Sequence, residues 1–244
     1  MLYDLFSLDI SVALCRDNRS GYHYRLDGQS SARQDDGMDI GLLLHPLCGI
    51  KHLSTYALSI EQGTLLQRKI QSNELAETDE DTFIAEYEIM MQQAHAHGFE
   101  HYEISNFALP GFESRHNSGY WNNTPYLGIG PGAHSFNGTD ERQYNEPNLG
   151  KYISAAGFPP HTIEHLTFSD QFDEQIFTSL RTRKGLSLKT MEKRFDKAWL
   201  EYLKRAAQKH IISGNLSLNN NTLCLTRKGI MTSNDIISDL MRAE

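Results

Sequence analysis

Hydrophobic and polar positions follow two different periods in the middle of this chain. Residues 50–60 mix β-branched, aromatic and small residues in a short run, which predicts a buried strand. Residues 78–98 follow a helical period between an expected N-cap at Thr78 and an expected C-cap at Gly98. The apolar stripe of this helix comprises Phe83, Tyr87, Met90, Met91 and Ala94. Residues 99–105 return to a strand, so the pattern predicts a βαβ unit, an α/β fold and a parallel sheet.

A different pattern begins after about residue 160. Helical periods cover residues 169–182, 187–195 and 199–213, a hairpin over 214–225 turns at 219–221, and a last amphipathic helix covers 228–241. Helices followed by a hairpin resemble a winged-helix module. Such small domains also serve as lids or packing partners, so we predict a small helical, winged-helix-like C-terminal domain and assign it no DNA binding.

Composition narrows the classes of function. The chain has 244 residues and a formal net charge of −8, which disfavours a nucleic-acid partner or an acidic membrane surface. No apolar run approaches the roughly 20 residues that a transmembrane helix needs. Cys15, Cys48 and Cys224 are widely separated, so neither a disulfide framework nor a cysteine metal clip is expected. We expect a cytoplasmic protein without a metal site.

Three polar and aromatic motifs lie within 35 residues of one another, at 102–107, 116–121 and 128–136. Their density of glycine, histidine, asparagine and aromatic residues exceeds what a packed core needs. The first motif ends the second predicted strand, and loops after strand ends form the ligand face of α/β folds. The cluster therefore suits a site for a large flat ligand.

Haem is such a ligand, and its site needs aromatic walls, an axial ligand and polar groups at the rim. His116 offers a ligand, Tyr120 and Trp121 offer ring faces, and Arg115 offers a carboxylate partner. The alternative is that both aromatic residues belong to the core and His116 caps a turn. The glycine-rich run before His134 indicates close approach of backbone to a ligand.

Together the motifs resemble the HemW family, the haem chaperones related to oxygen-independent coproporphyrinogen III oxidases within the radical S-adenosylmethionine superfamily. The likeness covers roughly residues 49–244 in the family's order. It runs through residues 52–61, 102–107, 116–121, 126–136, 180–182 and 225–229. The resemblance implies a truncated radical S-adenosylmethionine partial (β/α) barrel followed by the small C-terminal domain.

The His-Asn-x-x-Tyr-Trp motif separates chaperone-type members from the oxidases. The resemblance therefore implies haem binding by His116, Asn117, Tyr120 and Trp121. It also implies that Ala57 and His134 lie near S-adenosylmethionine in a complete protein, and that a client haem enzyme receives the haem.

The sequence departs from the family near its start. The family holds a 4Fe-4S cluster with a Cys-x-x-x-Cys-x-x-Cys run that is missing from these 244 residues, so we assign no catalytic residue. The resemblance divides the chain into a remnant of a barrel helix (1–18), an aberrant segment (19–48), the last part of the barrel (49–160) and the C-terminal domain (161–244). A frameshift is our hypothesis for the second segment.

Three functions compete on these grounds. The first is a haem-binding, chaperone-like protein. The second is a coproporphyrinogen III oxidase-like radical enzyme, which the missing cysteines make implausible. The third is an inert truncated product. A truncated barrel also exposes the edge of its first strand, which predicts self-association.

Overall fold

The computed structural model describes residues 9–16, 20–27, 49–56, 60–77, 79–155 and 157–242. The chain divides into two compact units, and the boundary falls between Glu113 and Ser114. The first unit contains β1 (Asp9–Arg16), β2 (Ser20–Asp27), β3 (His52–Tyr56), α1 (Leu65–Gln71), α2 (Glu80–Ala96), β4 (Glu100–Glu103) and β5 (Asn106–Ala108).

The sheet of the first unit has the order β2-β1-β3-β5-β4, and every neighbouring pair is antiparallel. The prediction of a parallel sheet is therefore wrong. The strands on either side of α2, β3 and β4, do run in the same direction. A tight turn after Glu103 reverses the chain, however, and inserts β5 between them, with Asn106 opposite Ser54.

The N-terminal strands correct two further expectations. Asp9–Arg16 is a strand, although the resemblance predicted a helix remnant over residues 1–18. Its alternation of Ile10, Val12 and Leu14 with smaller or polar residues has the period of a strand. β1 pairs with β2 on one side and β3 on the other, so the edges of the described sheet are β2 and β4, not the first strand.

Of the segment 19–48, residues 20–27 form β2 and residues 28–48 lie outside the described residues; the frameshift stays a hypothesis.

Helix α2 packs as its sequence pattern predicts. Tyr87, Met90, Met91 and Ala94 are buried and form the core of this unit with residues such as Leu53 and Phe107. The N-cap is Asp79, whose side chain accepts a hydrogen bond from the Thr82 N–H at 2.9 Å. Thr78, the predicted cap, lies outside the described residues. Gly98 has φ +82° just after the helix, as a C-terminal glycine requires.

The second unit places a small sheet beside a helical domain. Its elements are α3 (Arg115–Trp121), β6 (His134–Phe136), β7 (Glu141–Asn145), α4 (Leu149–Ser154), β8 (His161–His165), α5 (Phe168–Leu180), β9 (Leu186–Ser187), α6 (Leu188–Arg194), α7 (Lys197–Ile212), β10 (Leu216–Asn219), β11 (Thr222–Leu225), α8 (Arg227–Met231) and α9 (Ser233–Leu240). One antiparallel sheet has the order β6-β7-β8 and the other β10-β11-β9. The α/β class is confirmed, and the domain boundary predicted after residue 160 stays a prediction.

A single apolar core holds the last part of the chain together. It includes Phe172, Ile176 and Leu180 from α5, and side chains of α6, α7, α9 and both strands of the hairpin pack around them. The last helix was predicted as one element but is divided into α8 and α9, with Thr232 between them. Over the described residues, no helix is both long and apolar enough to cross a membrane.

Candidate functional site

Helix α3 carries the His-Asn-x-x-Tyr-Trp motif in the second unit. It begins after Ser114, whose side chain accepts a hydrogen bond from the Asn117 N–H at 3.2 Å. Residues four apart lie on one face of a helix, so His116 and Tyr120 meet. The Tyr120 hydroxyl lies 2.9 Å from Nε2 of His116, and the two rings make an edge-to-face contact at 4.9 Å. Both side chains are exposed, which makes this face of the helix accessible to a ligand.

A row of aromatic rings extends from Tyr120 into the small sheet. Tyr120 contacts Tyr126 edge to face, with 4.9 Å between the ring centroids, and Tyr126 lies 6.2 Å from Phe136. Two backbone hydrogen bonds of 2.9 and 3.0 Å pair Tyr126 with Phe136 and so hold their rings near each other. Edge-to-face contacts of this kind stabilise aromatic pairs beyond the area they bury.

Trp121 faces the helical domain. Its ring lies 6.2 Å from the ring of Phe177 on α5, and the Arg181 guanidinium lies over both rings at 5.1 and 5.3 Å. The indole Nε1 is buried and has no hydrogen-bond acceptor among the described residues. An unsatisfied buried donor is costly, so this N–H is a point where a ligand acceptor would be favoured.

These rings enclose one side of a cavity of about 440 Å³ within the second unit. The lining residues are Tyr120, Trp121, Asn123, Tyr126, Phe136, Arg142, Glu164, Leu166, Asp170, Asp173, Glu174, Phe177, Thr178 and Met241. Pockets of roughly 300–1,000 Å³ with aromatic walls are typical of sites for small molecules and cofactors. The volume and the walls therefore fit a planar organic ligand.

Acidic side chains dominate the polar part of the lining. Burial raises the pKa of Glu174, while its ion pair with Arg142 acts in the opposite direction. Burial also raises the pKa of Asp173, and the neighbouring carboxylate of Asp170 adds to this effect. These carboxylates make the cavity unfavourable for an anionic group. A ligand that bears carboxylates would therefore have to keep them outside the cavity.

In the glycine-rich loop, the backbone at Gly128 packs closely against the backbone of His134. A Cβ on Gly128 would lie 2.0 Å from the carbonyl oxygen of His134, so only glycine fits there. The Gly128 N–H donates to Oγ of Ser135 at 3.0 Å, and the Gly130 N–H donates to the Tyr152 hydroxyl at 3.0 Å. At Gly128 the close approach is therefore to the backbone of the chain itself, and the approach of this loop to a ligand stays a prediction. The His134 side chain is exposed and stacks on Tyr144 at 5.5 Å.

The structure brings some of the predicted residues together. His116, Asn117, Tyr120 and Trp121 share α3, and the last two line the cavity. His134 lies in the same unit, on β6, while Ala57 lies outside the described residues. Sequence reasoning missed Phe177 and the carboxylates of α5, because a polar helix face more than 40 residues after the motif gives no signal that it faces a cavity.

The first motif forms a separate polar cluster in the first unit. The buried Glu103 carboxylate accepts hydrogen bonds from the side-chain amide of Asn106 and from the Ser105 N–H. Asn106 in turn accepts a hydrogen bond from Ser54 at 2.6 Å. These groups satisfy one another and tie β3 to the turn between β4 and β5, as buried polar groups generally must.

Comparison with known proteins gives one consistent family. The model of the HemN C-terminal domain matches residues 166–232. The heme chaperone HemW of Bacillus subtilis is 31% identical over 220 residues, which cover 87% of this chain and 56% of that protein. The heme chaperone HemW of Mycobacterium tuberculosis is 33% identical over 197 residues, covering 79% of this chain and 48% of that protein. The chain is similar to the heme chaperones of the HemW family over most of its own length.

The chain spans about half the length of the curated HemW relatives it matches. A solved structure, the coproporphyrinogen III oxidase HemN of Escherichia coli, a radical SAM enzyme, superposes with a TM-score of 0.53. The match covers 68% of this chain and 42% of HemN at 16% identity, so it shows the fold alone. The resemblance predicted from the motifs is confirmed, and the partial barrel and the winged-helix character stay predictions.

Proposed function

We propose that this chain binds haem on helix α3 and contributes the haem-holding part of a HemW-type haem chaperone, which passes haem to a client haem enzyme. The observation that carries the proposal is that Tyr120 and Trp121 line an aromatic cavity of about 440 Å³ and share their helix with His116, which contacts Tyr120. The named activity of the curated relatives, which are heme chaperones, supports it.

The residues fit haem in their chemistry. Haem iron, when bound, supplies an acceptor site for an imidazole nitrogen, and His116 is the exposed imidazole of the motif. Tyr120 and Trp121 offer ring faces to a flat macrocycle. Because the cavity carries Asp170, Asp173 and Glu174, the two carboxylates of haem would remain in solvent, where the exposed Arg115 can pair with them.

The S-adenosylmethionine contacts assigned to Ala57 and His134 also stay a proposal. Ala57 lies outside the described residues, and His134 already stacks on Tyr144. The likeness to HemN concerns the fold, so an oxidase reaction gains no support from the residues that the structure describes. Haem binding is the function that the geometry supports best.

A hemin titration of the purified protein tests the proposal. We expect a Soret shift that saturates with one haem, and we expect His116→Ala to weaken binding at least about tenfold and to change the Soret position, because the axial nitrogen is lost. His95→Ala is the matched control, since His95 is an exposed histidine on α2 in the other unit. Equal hemin binding by His116→Ala and the unaltered chain would refute the proposed site.

A further inference from the structure

The hydrogen bond between Tyr120 and His116 has a consequence for ligand binding. It joins the Tyr120 hydroxyl to Nε2 of His116 at 2.9 Å, and no other hydrogen bond to the His116 ring occurs in the described part of the chain. A neutral imidazole has one nitrogen that carries hydrogen and one that carries a lone pair. If the hydroxyl donates to Nε2, the hydrogen of the ring sits on Nδ1 and the lone pair of Nε2 is occupied.

Nε2 is also the nitrogen that a wide macrocycle reaches most easily. Nδ1 is adjacent to the ring carbon that bears Cβ, so the backbone of α3 crowds it, whereas Nε2 lies at the far side of the ring. A metal ion and a hydroxyl donor cannot use the same lone pair. Tyr120 and an incoming iron therefore compete for one atom of His116.

We propose that Tyr120 is a latch on His116, in which its hydroxyl occupies Nε2 until haem displaces it. This inference rests on the proposed function, because it assumes that His116 is the iron ligand. Release needs only rotation of exposed side chains, because 39% of Tyr120 is exposed and the two residues lie one turn apart on α3. The ring of Tyr120 keeps a partner during release, since it also contacts Tyr126.

The latch has a predictable strength. A single hydrogen bond between exposed groups is worth a factor of about two to ten in an equilibrium. The fraction of protein with a free Nε2 is reduced by the same factor, and so is the apparent affinity for a ligand that needs that nitrogen. Removing the hydroxyl while keeping the ring should restore the affinity without altering the walls of the cavity.

Tyr120→Phe makes this change, and hemin titration measures it. We expect the Kd for hemin to fall about two- to tenfold. In the double variant with His116→Ala the substitution should have no effect, because the atom for which Tyr120 competes is gone. Tyr144→Phe, an exposed tyrosine outside the cavity lining, is the control and should leave the Kd unchanged. Unchanged or weaker binding by Tyr120→Phe, or a gain that persists without His116, would overturn the latch.

A second readout uses the protein without haem. The ¹⁵N chemical shifts of the His116 ring should indicate the Nδ1–H tautomer in the unaltered chain. In Tyr120→Phe they should indicate a larger population of the Nε2–H tautomer. The same tautomer in both proteins would overturn the inference whatever the titration shows. Failure of the proposed function looks different: hemin binding would then be insensitive to His116→Ala, while the NMR comparison would still report on the hydrogen bond.

Discussion

Gly128→Ala is the substitution that the geometry of the site resists most strongly. The added methyl carbon would lie 2.0 Å from the carbonyl oxygen, 2.6 Å from the carbonyl carbon and 2.8 Å from the nitrogen of His134. The first of these distances is roughly 1.5 Å short of an ordinary non-bonded contact. Since every clashing atom is backbone, no side-chain rotation relieves the overlap, and the strand that begins at His134 has to move.

The cost follows from the hydrogen bonds that such a movement breaks. Displacing β6 removes both backbone bonds between Tyr126 and Phe136 and the bond from the Gly128 N–H to Ser135. At about 0.5–1.5 kcal/mol each, these three bonds give about 1.5–4.5 kcal/mol of lost stability. Phe136, of which only 7% is exposed, would also lose packing. We therefore expect a large decrease in the free energy of unfolding of the second unit.

Urea denaturation monitored by tryptophan fluorescence measures this loss, because both tryptophans, Trp121 and Trp199, belong to the second unit. Gly119→Ala is the matched control. The nearest atom outside the helix backbone to a Cβ there would be Cβ of Thr124 at 3.8 Å, and Gly119 lies inside α3, so alanine should stabilise the unit by about 0.5–1 kcal/mol. A free energy of unfolding for Gly128→Ala within about 0.5 kcal/mol of the unaltered chain would refute the close approach, because fewer than one of the three bonds would then be lost.

Three further outcomes follow from the burial of single side chains. Burial lowers the pKa of His101, so its contribution to stability is present above about pH 6.5 and is lost as the pH falls; His101→Phe should flatten this decline in thermal unfolding between pH 7.5 and 5.5. Burial raises the pKa of Asp173, so stability is lost as the pH rises above about 4, and Asp173→Asn should raise the Tm at pH 7 but not at pH 3.5. Phe172 is fully buried against Phe195 and Trp199, and Phe172→Ala should cost about 3–5 kcal/mol in urea denaturation.

Local patterns predicted the elements whose structure depends on nearby residues. Four of the five stripe residues of α2 are buried as their spacing requires, whereas Phe83 near the start of the helix is partly exposed. Gly98 follows the helix with a positive φ. The hairpin of β10 and β11 turns at Asn220 and Asn221, with φ of +49° and +61°. Asparagine tolerates this left-handed region better than most residues, so the turn was visible in the sequence.

Direction and order in the sheet depended on contacts that the pattern does not contain. β5 has only three residues, too few to show a period, yet it separates β3 from β4 and makes the sheet antiparallel. The resemblance predicts a helix where β1 lies, whereas the observed strand agrees with the alternation of apolar and other residues in this segment. In both places, pairing between distant segments decided the outcome, and a motif comparison carries no information about that pairing.

Helix α5 shows why only part of the candidate site could be predicted from the sequence. Phe172, Ile176 and Leu180 recur every four residues and enter the core of the helical domain, so this face is recognisable from its period. The charged positions Asp173 and Glu174 are typical of a solvated face, yet together with Phe177 they line the cavity beside Trp121. The helix thus anchors the domain with one face and sets the charge of the cavity with the other. In the proposed haem site the motif on α3 would supply the ligand nitrogen and the rings. The carboxylates of the cavity come instead from α5, within the region that matches the HemN C-terminal domain.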